Sequence, residues 1–122
     1  MAYLYTVRCR DGSLYTGIAA DIQKRMKEHL ARDGRGAKYT RAHPVEELVG
    51  LWRTSDLKTA ARLEWRIKQL PRKEKLALLA HPERLGEAPY APPEGAICEV
   101  LRGITLEDCL AGSIPQSSEI SS

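Results

Sequence analysis

The chain has 122 residues, 43% of them hydrophobic and 29% charged, which suffices for one compact core and a tail. No run of about 18 apolar residues occurs, which excludes a membrane-spanning helix, and Met1–Tyr5 lacks the basic region and long apolar stretch of a secretory signal. Cys9, Cys98 and Cys109 stand at unrelated spacings, with no Cys-x-x-Cys pair to suggest zinc and no even number to suggest a disulfide framework. A soluble, cytoplasmic chain with reduced thiols is the expectation.

The net charge of +3 hides a division. Residues 1–85 carry 18 basic against 10 acidic residues, a net +8, whereas residues 86–122 carry Arg102 against six acids, a net −5. A block at +8 has the balance of a nucleic-acid binder, in which each neutralised phosphate releases counterions. A merely solvated basic surface is the plain alternative.

Tyr3–Cys9 reads as a strand, rich in aromatic and β-branched residues. Residues 10–13 supply turn chemistry, with Gly12 free to take positive φ, and Leu14–Ile18 reads as the returning strand of a hairpin. Asp21 is suited to cap a helix that runs to about Asp33, buries Ile22, Met26 and Leu30, and stops at Gly34. Arg25 and His29, four apart, form a second row along the edge of that apolar stripe. Residues 34–44 have no apolar period and read as a basic loop. Glu47–Thr54 is a third strand. Thr54 or Ser55 caps a second helix to about Leu70, with Leu57, Ala60, Leu63, Ile67 and Leu70 inward. Pro71 breaks it, and Arg72–Ala80 makes a third helix with Leu76 and Leu79 inward. The order β-β-α-β-α-α implies a small α+β domain, 1–85, with a three-stranded antiparallel sheet flanked by helices. Residues 86–122 form an acidic extension: a Pro/Gly linker over 86–96, a strand or short helix over Ile97–Leu110 with Thr105 as cap and Gly112 as stop, and a Ser-rich, disordered end.

Several residues can carry chemistry. Tyr5 and Tyr15 lie on paired strands, where tyrosines by default pack with a wet hydroxyl. Gly17 permits close approach of another backbone or a ligand. Arg25 can grip a phosphate and His29 can exchange a proton, although a solvated face with Asp21 paired to Arg25 accounts for them as simply. Glu64 flanks the apolar stripe of its helix. It reads either as the partner of Lys68 at i+4 or as a ligand for Mg²⁺, which often takes only one or two carboxylates.

In combination, Tyr3-Leu4-Tyr5 ten residues before Tyr15-Thr16-Gly17, followed by Arg25, His29 and a helical Glu64, resembles the GIY-YIG nuclease domain. The likeness covers about residues 2–82. Leu14–Ile18, Gly36–Arg41, Pro44–Val49 and Glu64–Leu76 are most similar to the small stand-alone bacterial YhbQ-like branch, whose catalytic module also occurs in UvrC-type repair nucleases, homing endonucleases and junction-cutting enzymes. The sequence departs from the family label in reading Tyr-Leu-Tyr and Tyr-Thr-Gly, though both tyrosines and the second glycine are retained. The asparagine that often follows the metal-binding glutamate is missing from residues 65–85, leaving Gln69 or a lysine to substitute. The acidic tail has no counterpart in the resemblance.

The resemblance implies a divalent-metal-dependent endonuclease acting on DNA, favoured over RNA, in repair or recombination. Glu64 would hold one Mg²⁺ (or Mn²⁺) and Arg25 would neutralise the charge on the pentavalent phosphorane. Tyr5, Tyr15 or His29 would take the proton of the attacking water or orient it. A tyrosine would need Arg25, Lys38 and the metal to lower its pKa from about 10. Lys24, Lys27, Arg35, Lys38, Tyr39, Arg41, Lys68, Arg72, Lys73 and Lys75 would grip the substrate. Such contacts position a backbone without reading sequence, so cutting would be structure-dependent. The alternatives are a nucleic-acid-binding module that does not cut, and an interaction protein whose acidic tail is the working part.

Overall fold

The structure, a computed structural model, describes residues 1–31, 42–86 and 96–114. Its centre is a four-stranded antiparallel sheet in the order β2-β1-β3-β4. Strands β1 (Ala2–Cys9) and β2 (Leu14–Ala19) form the hairpin. Gly12 takes φ 86° in its turn, and the Asp11 carboxylate accepts hydrogen bonds from the Ser13 amide and hydroxyl. Strand β3 (Val45–Thr54) covers the other edge of β1. Four strands replace the three expected. The fourth, β4 (Cys98–Val100), comes from the C-terminal extension and pairs with Trp52–Thr54. At three residues it is too short to show a period, and its partner lies far away in sequence.

Helices cover both faces. Alternation along β1 sends Tyr5, Val7 and Cys9 to one side and Leu4 to the other, which separates two cores. The first core is closed by α1 (Ile22–Ala31), where Ile22 and Met26 are buried and Leu30 is partly buried, and by a helix of the extension, α4 (Leu106–Ala111). The second is closed by α2 (Leu57–Gln69), by α3 (Arg72–Ala80) and by a 3₁₀ turn, Pro82–Gly86, that carries the buried Leu85.

The sequence reading of the caps needs one correction. Asp56 caps α2, accepting from the Thr59 amide at 2.7 Å, because the Thr54 hydroxyl is engaged by the Ala2 carbonyl inside the core. Asp21 does cap α1, through the Lys24 amide at 3.0 Å. Inward faces differ in two places. Leu57 lies in the first turn of α2 and is 49% exposed, and in α3 it is Leu78, not Leu76, that is buried against Leu85. In the extension, Thr105 caps α4 in a reciprocal capping box with Asp108, and Gly112 ends it at φ 78°. The expected end of α1 at Asp33 and Gly34, most of the basic loop, most of the 86–96 linker and the Ser-rich end fall outside the described residues.

The extension packs as part of the core. Leu101, Leu106 and Cys109 are buried with Tyr5 and Met26, and the Gln23 side-chain amide donates to the Leu110 carbonyl at 2.8 Å. Arg53, only 3% exposed on β3, meets Glu99 of β4 at 3.1 Å, with the Tyr3 ring 5.7 Å from the guanidinium carbon. Among the described residues, no helix is long and apolar enough to cross a membrane.

Candidate active site

Antiparallel register sets Tyr5 opposite Gly17 and Val7 opposite Tyr15, so the two tyrosines lie diagonally on one face of the hairpin, ring centroids 6.4 Å apart. A Cβ on Gly17 would stand 2.6 Å from the Tyr5 hydroxyl oxygen and 3.1 Å from Cε2 of Tyr15. The close approach expected at this glycine is therefore made by tyrosine side chains, where a backbone or ligand was anticipated. Helix α1 crosses the same face and brings His29 between the rings, 5.6 Å from Tyr5 and 5.8 Å from Tyr15, edge-on to both. The Tyr5 hydroxyl and His29 Nε2 share a 2.7 Å hydrogen bond, which either imidazole tautomer satisfies.

One turn earlier on α1, Arg25 pairs with Glu28 at 2.9 Å rather than with Asp21, and its positive charge acts on the Tyr5 phenol. Helix α2 packs on β1 and on the edge strand β2. From it Glu64, about one-quarter exposed, takes a 3.3 Å ion pair with Lys68, whose ammonium lies 5.6 Å from the centroid of the Tyr15 ring. The structure thus brings together Tyr5, Tyr15, Arg25, His29 and Glu64 from four elements. Lys68, expected from sequence as a substrate-gripping residue and as a partner for Glu64, belongs among them. Its i+4 spacing to Glu64 was the readable signal, as was the i+3 spacing of Glu28 to Arg25.

Burial sorts these groups. Tyr5 has no exposed surface and His29 is 3% exposed, whereas Tyr15, Arg25, Glu64 and Lys68 reach solvent to differing degrees. The electrostatics correct one expectation. The Tyr5 phenol is pushed up to about 12 by burial, which outweighs the opposing influence of Arg25. Burial, with the Arg25 charge adding to it, brings the His29 imidazole down to about 4. Both members of the hydrogen-bonded pair are neutral at pH 7, so Tyr5 carries no phenolate.

A shallow cleft of about 260 Å³, lined by Ile18, Asp21, Lys24, Arg25 and Glu28 among others, adjoins the site. A larger groove, about 570 Å³, lies between β3 and the extension and contains none of the candidate residues, so chemistry and not size locates the site. Lys24 and Lys27 are exposed on α1, while Arg72 and Lys73 are exposed at the start of α3, where the Arg72 guanidinium donates to the Gly12 carbonyl at 2.9 Å. Arg35, Lys38, Tyr39 and Arg41 lie outside the described residues.

The described residues contain no cluster of three or more His, Cys, Asp or Glu side chains able to cage a metal. A single half-buried carboxylate among cations suits Mg²⁺, which retains waters and borrows substrate phosphate oxygens, and does not suit zinc. His29 Nε2 is already bonded to Tyr5 and Glu28 to Arg25, which makes Glu64 the candidate donor.

Comparison with known proteins decides the family. The model of the GIY-YIG catalytic domain matches residues 1–77. The chain belongs to the GIY-YIG family. Members of that family are generally endonucleases that use divalent metals. Similar proteins include a UPF0213 protein of Xanthomonas campestris pv. campestris, 46% identical over 77 residues that make up 63% of this chain and 74% of the relative. Another, from Xanthomonas axonopodis pv. citri, is 39% identical over 99 residues, 80% of this chain and 93% of the relative, so its likeness runs past residue 85 into the extension. These relatives are YhbQ-like proteins. The solution NMR structure of a UPF0213 protein from Bacillus halodurans is 39% identical, covers 75% of this chain and 92% of its own, and superposes with a TM-score of 0.44.

Proposed function

We propose that this member of the family is a Mg²⁺-dependent endonuclease that hydrolyses phosphodiester bonds in DNA, chooses its target by structure, and serves repair or recombination. The observation that carries the reading is the meeting of an arginine, a carboxylate, a lysine and a half-exposed tyrosine above the buried Tyr5–His29 pair. A decayed site has no physical need to keep this set together. Residues 1–85 act as the catalytic unit, with the C-terminal extension as its support.

In this reading Glu64 holds Mg²⁺, which supplies Lewis-acid polarisation of the scissile phosphate. Arg25 reaches the phosphate from α1, fixed at its other end by Glu28, and neutralises charge that grows as the phosphorane forms. Lys68 pairs with the Glu64 carboxylate and lies over the Tyr15 ring, which links the two groups. The hydroxyl of Tyr15, a partly exposed residue, orients the attacking water. Tyr5 and His29 lie beneath it and act as positioning residues: their hydrogen bond and their ring contacts with Tyr15 fix that side chain. Lys24, Lys27, Arg72 and Lys73 contact the substrate backbone. The same role for Arg35, Lys38, Tyr39 and Arg41 rests on their sequence alone. Charge contacts of this kind favour structure over sequence as the basis of selection.

Incubation of labelled single-stranded, duplex, flapped and branched DNA, and of matching RNA, with Mg²⁺ or with EDTA tests the reading. Metal-dependent cutting by the wild type, reduced on the order of 10²-fold or more in Glu64→Gln, is the expected outcome. Salt-sensitive binding without cutting on any substrate would leave a binding module in place of the nuclease.

A further inference from the structure

The exposed face of α2 combines an indole with cations. Trp65 follows Glu64 directly and is 64% exposed, whereas the protein's other tryptophan, Trp52, is 1% exposed with its indole N–H donating to the Pro82 carbonyl at 2.8 Å. Successive helical residues are about 100° apart, so Trp65 looks outward beside the Glu64 edge, with Lys68 at an angle between them. Lys58, Arg62 and Gln69 complete the exposed stripe around the indole. From residue 57 to residue 73 the only acid is Glu64, against six cations, Lys58, Arg62, Arg66, Lys68, Arg72 and Lys73.

A lone exposed apolar residue needs no explanation. An indole set in a stripe of cations next to the candidate cutting residue does need one, because a protein-binding hot spot is normally depleted in lysine. A nucleic-acid backbone complements the charge and an unpaired base complements the ring. Within an intact duplex both faces of each base are covered by its neighbours, so a flat indole on a convex helix can only receive a base that is already unstacked.

We propose that Trp65 is a stacking platform for an unpaired nucleobase, with Lys58 and Arg62 tracking the adjoining phosphates. This defines the substrate class as nucleic acid with a single-stranded or extruded nucleotide close to the bond beside Glu64. The inference rests on the reading of that site as one for nucleic acid, but not on cutting.

Tryptophan fluorescence provides the test, because Trp52 is shielded and Trp65 is not. Full-length protein carrying Glu64→Gln, which prevents turnover, is titrated without metal with oligo-dT, oligo-rU and a duplex of equal length. Because Trp65→Leu and Trp65→Phe lack the reporting indole, their affinities and that of the parent are compared by the anisotropy of the same oligonucleotides carrying a fluorescein label; an exposed position lets both variants keep the fold. Stacking requires quenching by the single strands well beyond that by duplex, a 5- to 100-fold loss of single-strand affinity in Trp65→Leu, and its partial rescue in Trp65→Phe. Salt-sensitive binding with no quench and equal affinity in Trp65→Leu would overturn the stacking role while leaving the nucleic-acid reading intact, and would leave the indole to a protein contact. Equal quenching by duplex would overturn the assignment to unpaired bases. Absence of binding to every oligonucleotide would overturn both readings.

Discussion

Gly17 shows how tightly the site is set. Tyr5 faces it across the hairpin, and the 2.6 Å that separates a hypothetical Cβ from the Tyr5 hydroxyl oxygen leaves no room for even an alanine. Gly17→Ala should therefore push Tyr5 off His29, destabilise the protein by about 1–3 kcal/mol in denaturant titration, and depress cleavage more than stability alone accounts for. His29 makes a second prediction at this scale. Its imidazole is held neutral by burial, at about 4 against 6.5 for a free histidine, so the unfolded chain binds the extra proton between those values. Stability should be complete above pH 6.5 and fall as pH drops toward 4, by about 3 kcal/mol for this one group. Urea titrations at pH 7 and pH 4 should show that component in the wild type and not in His29→Gln. Residue types and spacing made all five site residues legible in the sequence through the family resemblance. Their burial was not legible. Tyr5 and Tyr15 look equivalent in the sequence, and only the packing of α1 on the hairpin makes one a buried support and the other a half-exposed contact.

Local chemistry made most of the elements readable. The bounds of α3, Arg72–Ala80, follow from Pro71, the cap of α1 from Asp21 and the hairpin turn from Gly12. Failures came where tertiary contacts override local signals. Thr54 looks like a cap, but its hydroxyl faces the Ala2 carbonyl. Strand β4 pairs with Trp52–Thr54 and brings Glu99 alongside the buried Arg53, a pairing with no local signature. Helix α4 was readable as a strand or a short helix, capped by Thr105 and stopped by Gly112; its docking on α1 was not. Since the extension supplies Leu101, just after β4, and Leu106 and Cys109, in α4, to the core, removal of residues 96–122 should do more than strip charge. Two buried leucines at about 1.5–3 kcal/mol each, together with the support of Arg53, are a large part of the 5–15 kcal/mol that holds a domain together. The truncated chain should unfold at a markedly lower temperature. Unchanged melting would show that the extension is only an electrostatic appendage.

At the scale of the molecule, a block at +8 and an extension at −5 share one fold. Residues 96–114 of the extension sit on α1 and β3, while Glu64 and Lys68 emerge from α2 at the β2 edge of the sheet. The described part of the extension thus completes the core away from the cation-rich face of α2. The central claim is that Arg25, Tyr15 and Glu64 act as one constellation on a phosphodiester. Single-turnover cleavage of a flapped DNA in Mg²⁺, measured for wild type, Arg25→Ala, Tyr15→Phe, Glu64→Gln and the Arg25→Ala/Glu64→Gln double variant, tests it most directly. Groups that work as a unit lose activity non-additively, so the double variant should be little worse than Glu64→Gln alone, each single change costing on the order of 10²-fold. Full metal-dependent cleavage by Glu64→Gln, with folding intact, would contradict the account.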